Sequence, residues 1–488
     1  MNILLMLAIL YNLLVLCYFT LLNSMYLFLN LVAFFRLRNY FREMQVVDLG
    51  RRFLSSFYKP LTIIVPAFNE EQTIVESVYS LLQLQYPEFE VIVVDDGSTD
   101  TTFNQLQEAF DLYEINRSFD QALPCKTIKG LYASVDHPNL VIVNKANGGK
   151  ADALNAGINV ANFPLFCNID ADSILDADSL LKMTRPFLEN RHTVAVGGII
   201  RVANDCLVKA GKVVEVNIPR SSLARFQVVE YLRAFLFGRV GWGSLNNLLI
   251  ISGAFGIFKR QAIVECGGYR TDTVGEDMEL VVRLHRLNRI QKRRYEIQFT
   301  PDPVCWTQVP ERLSGLSRQR RRWQRGLAES LHFNREMFLN PRFGAVGVLG
   351  FPFFVFFEKW GPVIELTGYL VFLISAFLGI LNVPFMLLFL TMAILLGILL
   401  STSSIVLEEL SFRRYRRLRD LLVLFCYAIL ENFGYRQLHS WWRLRGLWDF
   451  YRRKQGWGQA DRRSFVMQKA GSESADKTNP GAQSRELE

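Results

Sequence analysis

The sequence predicts a doubly wound α/β domain held between membrane segments, and three observations carry that expectation. From Leu61 a β-branched run, LTIIVPAFNE, ends in a polar loop, gives way to a helix-like stretch over 72–84, and returns as a second buried strand, FEVIVVDDGSTD. The pairs Asn69-Glu70 and Asp95-Asp96 and the triplet Asp170-Ala171-Asp172 all follow the carboxyl ends of predicted strands, where open α/β sheets bind their ligands. Apolar residues are unevenly spread: 50% of the 488 residues are hydrophobic and 38 are Phe. The excess lies in 3–35 and 343–407, while 60–310 has ordinary globular composition.

The first apolar run follows Met1-Asn2 directly, with neither a basic start nor a small-residue cleavage site, so it reads as a retained anchor. Arg36, Arg38, Arg42, Arg51 and Arg52 come next, and basic residues beside a span mark the cytosolic side. The globular part is therefore expected in the cytosol. Residues 140–144 (LVIVN) and 165–170 (LFCNID) supply further strands, with a helix over 151–160 between them. Past Phe163 the alternation is less regular. Residues 226–239 read as an aromatic-rich helix, LLIISGAFGIF as a strand or buried turn, and 276–287 as a helix starting on an acidic pair. A helix over 313–338 mixes leucines and aromatics with arginines, a composition suited to a membrane surface.

Residues 362–381 and 384–407 are each long enough to cross a bilayer, joined by a turn at Asn382-Val383. The stretch 343–357 is too short and is broken by Pro352, so it is expected to be interfacial or re-entrant. RRYRRLRD at 413–420 and the arginines of 443–463 should be cytosolic, which makes 421–442 re-entrant. Its polar residues Glu431, Asn432, Tyr435 and Arg436 must face a cavity or one another, and they are the groups expected along a polymer path. Beyond Met467 the composition is that of a disordered tail. The resulting parse is an anchor (1–36), a basic linker (37–59), the α/β domain (60–312), interfacial helices (313–358), membrane helices (359–410), a basic segment with a re-entrant element (411–466) and the tail (467–488).

Seven cysteines form no CxxC pair and five histidines are dispersed, so neither a disulfide framework nor a zinc site is indicated. A net charge of +9 suits nucleic acid, anionic lipid or a polyphosphorylated substrate equally well.

VDDGSTD sets Asp95 and Asp96 at a strand end, where Ser98 or Asp100 could also cap the next helix. In NIDADS, Asp170 and Asp172 flank one small residue, so two carboxylates can share a hard cation with diphosphate oxygens. NKANGGKADALNAG puts a glycine pair and Lys150 at a helix start, where backbone N–H groups and an ammonium would hold an anion. VGEDMEL places Glu276 and Asp277 in a first helical turn. That position favours acids for electrostatic reasons alone, and it also suits a general base on a rigid element.

PAFNE, VDDGSTD, NIDADS, VGEDMEL and QRRRW, the last fitting QxxRW at Gln319, Arg322 and Trp323, occur in the order found in the processive family 2 glycosyltransferases. The chain resembles these membrane-embedded synthases of cellulose, chitin, hyaluronan and poly-N-acetylglucosamine over roughly 60–338. The resemblance implies a cytosolic GT-A type domain in a bacterial inner membrane, a UDP-sugar donor, Mg2+ or Mn2+, a polysaccharide acceptor and inversion at the anomeric carbon. It implies that Asn69, Glu70, Asp95 and Asp96 hold the nucleotide, with Lys150 near the diphosphate. Asp170 would contact the nucleotide and Asp172 the metal. Asp277 would act as base beside Glu276, Ser252 and Gly253 would flank the acceptor's terminal sugar, and Gln319 and Arg322 would meet the diphosphate. Trp323 would be an aromatic floor for the acceptor, and Trp457 and Arg462 would belong to a gating segment.

Two departures bear on the product. No room remains for a cyclic-dinucleotide module of the cellulose synthase kind, and the family's usual TED triplet is GED here, with both carboxylates kept. The expected product is therefore a β-linked polysaccharide of the poly-N-acetylglucosamine, chitin, hyaluronan or glucan type, with cellulose disfavoured, exported through the membrane part alone or with a partner subunit. Two alternatives stand beside this. One is a non-processive transferase acting on a polyprenyl phosphate or glycolipid, against which QxxRW argues. The other is a basic protein binding acidic lipid or nucleic acid, which leaves three acidic clusters unexplained; no nucleic-acid partner is expected. Arg318, Arg320, Arg321 and Arg325 are expected to rest on anionic headgroups.

Overall fold

The structure is a computed structural model that describes residues 3–46, 58–209, 211–379, 383–415 and 417–453. Trp457, Arg462, Arg51, Arg52 and the turn residue Asn382 lie outside them. Helix α1 (Ile3–Val46) leads in, passing without a break through the expected boundary of the anchor. The α/β part follows as β1 (Leu61–Ala67), α2 (Ile74–Leu82), β2 (Phe89–Asp95), α3 (Thr102–Ala109), β3 (Leu112–Ile115), β4 (Ile128–Ser134), β5 (Leu140–Lys145), α4 (Lys150–Val160), β6 (Leu165–Ile169), β7 (Ile174–Leu175), α5 (Ser179–Glu189) and β8 (Thr193–Val202). A small hairpin, β9 (Leu207–Lys209) and β10 (Lys212–Glu215), precedes α6 (Ser222–Tyr231). That helix continues as a π-helical segment, Leu232–Arg239, into α7 (Val240–Ser244). Then come β11 (Phe255–Lys259), α8 (Arg260–Glu265), α9 (Glu276–Ile290), β12 (Glu296–Thr307) and α10 (Leu313–Phe333).

Ten strands form one mixed sheet in the order β3-β4-β5-β2-β1-β6-β11-β8-β12-β7. β5, β2, β1 and β6 are parallel, as the strand–helix–strand pattern predicts, and β11 pairs antiparallel with both β6 and β8. The central strands are apolar on both faces: Leu61, Ile63, Ile64, Val65, Val91, Ile92 and Val93 are all at 0% exposure. Continuous runs of this kind are what a sheet covered by helices on both sides requires. Beyond β6 the antiparallel insertions account for the irregular pattern past Phe163.

Among the described residues, one unbroken helical stretch, Ile9–Arg42 within α1, is long and apolar enough to cross a membrane. The segment Val346–Lys359 and α11 (Gly361–Phe377) meet the same test together, bent by 43° as a broken span or re-entrant loop. The bend falls at Trp360, whereas the chain stays helical through Pro352, so the break expected at that proline lies further along the segment. The other expected span is divided into α12 (Val383–Leu390), a π-helical turn (Thr391–Leu395) and α13 (Leu396–Ser411). The inward residues of α13 include Ser401, Ser404 and Glu408, so it is less apolar than a free span. The stretch expected to be re-entrant lies within α14 (Leu418–Leu430) and α15 (Arg436–Tyr451), joined by a turn in which Gly434 takes φ 97°, a conformation glycine adopts without strain.

Candidate active site

The site grows from the carboxyl ends of the parallel strands. Past β1 the chain turns at Asn69, whose φ is 55°. Its amide donates to Ser98 Oγ at 3.0 Å and its Oδ1 accepts from the amide of Thr99 at 2.8 Å. The Glu70 amide donates to Thr102 Oγ1 at 2.8 Å. The loops after β1 and β2 thus form one wall. Past β2, Asp95 Oδ1 accepts from the Ser98 amide at 3.3 Å. Burial pushes Asp95's carboxyl above its ordinary range.

Asp96 corrects one expectation. The amides of Gly148 and Gly149 were to cradle a ligand anion, yet they donate to Asp96 at 3.0 and 2.7 Å. The buried ammonium of Lys145 pairs with the same carboxylate and with Asp152, the latter at 2.6 Å. The glycine turn is therefore closed on an internal anion, and Asp96, 2% exposed, fastens the start of α4. Lys145 went unremarked in the sequence because nothing local separates a buried lysine from a surface one.

Fastening α4 sets the direction of Lys150 at its first turn. Its ammonium pairs with Asp170 at the end of β6 and donates to the Gly253 carbonyl at 3.0 Å. Burial works against its charge, but the carboxylates of Asp170, Glu276 and Asp277 outweigh it and hold the ammonium above its ordinary pKa. Gly253 also donates its amide to Asp277 Oδ2 at 2.9 Å. A Cβ on Gly253 would lie 3.3 Å from that oxygen and 3.4 Å from Lys150 Nζ. Lys150, Asp170, Gly253 and Asp277, from four separate segments, thus meet at one point. Glu276 is 4% exposed, and burial, with Asp277 next to it, pushes its carboxyl up to about 7.

The QxxRW segment on α10 is brought to that point by a glycine pair. A Cβ on Gly275 would lie 2.7 Å from Gly326 Cα, so the start of α9 and the middle of α10 touch backbone to backbone. Ser330 Oγ, bonded to the Gly275 carbonyl at 3.3 Å, and Glu329, bonded to Thr273 at 2.7 Å, hold the crossing. Arg322 is then near enough to Glu276 to lower its carboxyl pKa. Gln319 Oε1 is buried and, among the described residues, accepts no hydrogen bond, which leaves it available to a ligand. Trp323 is 44% exposed with the Arg320 guanidinium over its ring at 4.3 Å.

Arg320, Arg321 and Arg325 of this helix correct a second expectation, while Arg318 is exposed. Arg320 is 1% exposed and bonds Glu230 at 2.9 Å, Arg321 pairs with Asp449 at 2.7 Å, and Arg325 with Glu329 at 2.7 Å. They face protein, because α15 packs directly on α10: a Cβ on Gly446 would lie 2.5 Å from the Arg321 carbonyl. Glu431, Asn432, Tyr435 and Arg436 likewise face one another and their neighbours. Glu431 is fully buried between Arg233 and Arg436 and accepts from Ser401 Oγ at 2.6 Å, and Tyr435 bonds Glu230 at 3.0 Å.

Among the described residues no three His, Cys, Asp or Glu side chains converge as a metal-binding group. The partly exposed Asp170 and Asp172 nonetheless fit Mg2+ or Mn2+ in one way, since such ions are commonly held by one or two carboxylates together with substrate phosphates.

The family described as glycosyltransferase like family 2 matches residues 59–326. The chain is 31% identical over 276 residues to a poly-β-1,6-N-acetyl-D-glucosamine synthase of Staphylococcus epidermidis, covering 56% of this chain and 55% of that one. It is 30% identical over 300 residues to the protein of the same name from Staphylococcus aureus strain COL, covering 60% and 59%. The matched region thus spans little more than half of these relatives. A solved mannosyltransferase from Pyrobaculum calidifontis, in complex with GDP-mannose and Mn2+, is 19% identical with a TM-score of 0.47, covering 85% of this chain and 99% of that chain.

Proposed function

The chain belongs to the glycosyltransferase family 2, and from that premise we propose that it is a membrane-bound, inverting, processive hexosyltransferase that extends poly-β-1,6-N-acetylglucosamine from UDP-N-acetylglucosamine. The observation that carries the reading is the meeting of Lys150, Asp170, Gly253 and Asp277 beside Arg322. It sets cationic groups for a diphosphate against a carboxylate for a hydroxyl proton. The names of the staphylococcal relatives supply the sugar and linkage.

Asn69, Glu70 and Asp95 wall the nucleotide side, with Asp96 bracing them from behind. Asp170 and Asp172 would share a divalent cation with the diphosphate, whose charge that cation would offset. Asp277, oriented by the Gly253 amide, takes the proton from the acceptor hydroxyl as its oxygen bonds to the anomeric carbon from the face opposite the leaving group. The bond to the diphosphate breaks as that bond forms, so configuration inverts and UDP departs. Lys150, Arg322 and Gln319 stabilise the departing charge. Ser252 and Trp323 hold the acceptor's terminal sugar, and the lengthened polymer leaves through the membrane part.

Membranes carrying the protein, given radiolabelled UDP-N-acetylglucosamine with Mg2+ or Mn2+, should yield a high-molecular-weight product cleaved by a β-1,6-specific glucosaminidase. Asp277→Asn should lower turnover by about a thousandfold, the scale of a general base, with UDP affinity unchanged. A short lipid-extractable product would defeat processivity. An active Asp277→Asn variant would defeat the base assignment, and incorporation from UDP-glucose alone would defeat the donor.

A further inference from the structure

A cleft of about 900 Å³ lies outside the site just described and takes no part in the proposed chemistry. Six cationic side chains line it, Arg36, Arg289, Lys292, Arg293, Arg294 and Arg342, against one lining carboxylate, Glu296. Glu296 is already engaged by Gln298 Nε2 at 2.6 Å, and Arg293 by Glu265. A hollow with this surplus of positive charge is a poor place for neutral sugar and a good one for a multiply charged anion.

Arg289 supplies a second, independent observation. Its Nε is buried and, among the described residues, has no hydrogen-bond partner. Its guanidinium lies 5.5 Å from the Tyr295 ring centroid and against Gly344, where a Cβ would come within 3.2 Å of Cζ. Gly344 has φ 64°, a conformation that itself favours glycine. The planar donor group is thus set in place at the cleft, with a donor still unspent.

The position of the cleft indicates where its anion comes from. α7 packs on α1 so closely that a Cβ on Gly241 would lie 2.9 Å from the Leu29 carbonyl. Gly243 and Ser244, the next residues of α7, line the cleft together with Arg36 of α1. Arg36 lies roughly 10 Å along the helix axis from Leu29, at 1.5 Å per residue, near the end of the apolar span Ile9–Arg42. With α1 crossing the membrane, the cleft sits at the depth of the lipid phosphates, and Arg342 approaches it from just before the bent pair at Val346–Lys359.

We propose that this cleft binds a phosphate-bearing anion, and that the anion is the headgroup of an acidic membrane phospholipid. Arg289 and Arg293 would meet the phosphate in the hollow, while the exposed Arg36, Arg294 and Arg342 draw it from the headgroup layer.

The full chain, reconstituted in phosphatidylcholine nanodiscs containing phosphatidylglycerol and then extracted in mild detergent, should retain phosphatidylglycerol by native mass spectrometry. The variant R36Q/R294Q/R342Q, altered only at exposed positions, should retain at least about tenfold less, given the contribution of each cation near an anionic surface. Its melting temperature should be unchanged. R36K/R294K/R342K should restore retention, and R220Q/R417Q/R419Q, exposed but outside the cleft, should behave as wild type. Millimolar inorganic phosphate should not displace the lipid. Equal retention by the glutamine variant, or equal loss from the control variant, would overturn the site. Full displacement by inorganic phosphate would assign the cleft to a soluble anion and overturn the lipid.

Discussion

At the scale of single residues, burial and neighbouring charges decide which of the site's groups ionise. Glu276 is the clearest case, buried at the start of α9 with its carboxyl raised from 4.5 to about 7. Below about pH 4.5 the carboxyl is neutral in both folded and unfolded chains, so this residue adds no pH dependence there. Between 4.5 and 7 the unfolded chain gives up the proton while the folded chain keeps it. Stability from this residue is therefore lost as pH rises, by about 3 kcal/mol in all. Glu276→Gln removes the ionisation and keeps the shape. Its melting temperature in detergent should match wild type at pH 5 and exceed it by at least about 2 °C at pH 8. Equal curves at both pH values would show that the carboxyl titrates normally.

At the scale of elements, the crossing of α9 and α10 does the most to assemble the site. On Gly326 a Cβ would meet Gly275 Cα at 2.7 Å and its nitrogen at 2.9 Å, and neither backbone atom can rotate away. Gly326→Ala should therefore part the helices, costing about 1–3 kcal/mol. By separating Asp277 from Arg322 it should lower turnover at least about tenfold, whereas Ser314→Ala on the exposed face of the same helix should leave turnover unchanged. Steady-state kinetics with UDP affinity measured alongside would decide it. Motifs at strand ends were legible in the sequence because a parallel sheet delivers such loops to one edge whatever the side chains do. The Gly275–Gly326 contact was not, since no local pattern tells two distant glycines that they will touch. The arginines of α10 misled for a related reason: a charged helical face looks alike whether it meets lipid, water or a second helix. NGGK was read as a cradle for a ligand's anion, and only the fold could show that its amides are taken by Asp96.

At the scale of the whole molecule, the catalytic sheet and the C-terminal helices share one core. Ala33 and Leu37 of α1, Ile405 and Leu407 of α13, and Leu424 and Ala428 of α14 belong to the same buried cluster as β1, β2 and β6. Across it runs an ion pair, Arg201 on β8 with Glu408 on α13, their side chains 4% and 1% exposed. The pair is incompletely satisfied: Arg201 Nε and Nη1 and Glu408 Oε1 are buried without hydrogen-bond partners among the described residues. Attraction between the two charges therefore offsets a desolvation cost that no surrounding network relieves. Removing one partner is predicted to be far worse than removing both. Glu408→Ala should strand the guanidinium and cost about 3–5 kcal/mol, while Arg201→Met with Glu408→Leu should come within about 1 kcal/mol of wild type or exceed it, because apolar side chains of similar volume suit the cluster. Thermal unfolding of the two single variants and the double variant gives the coupling directly. Additive losses would mean that the two residues act independently, and that the catalytic sheet is joined to the C-terminal helices by apolar packing alone.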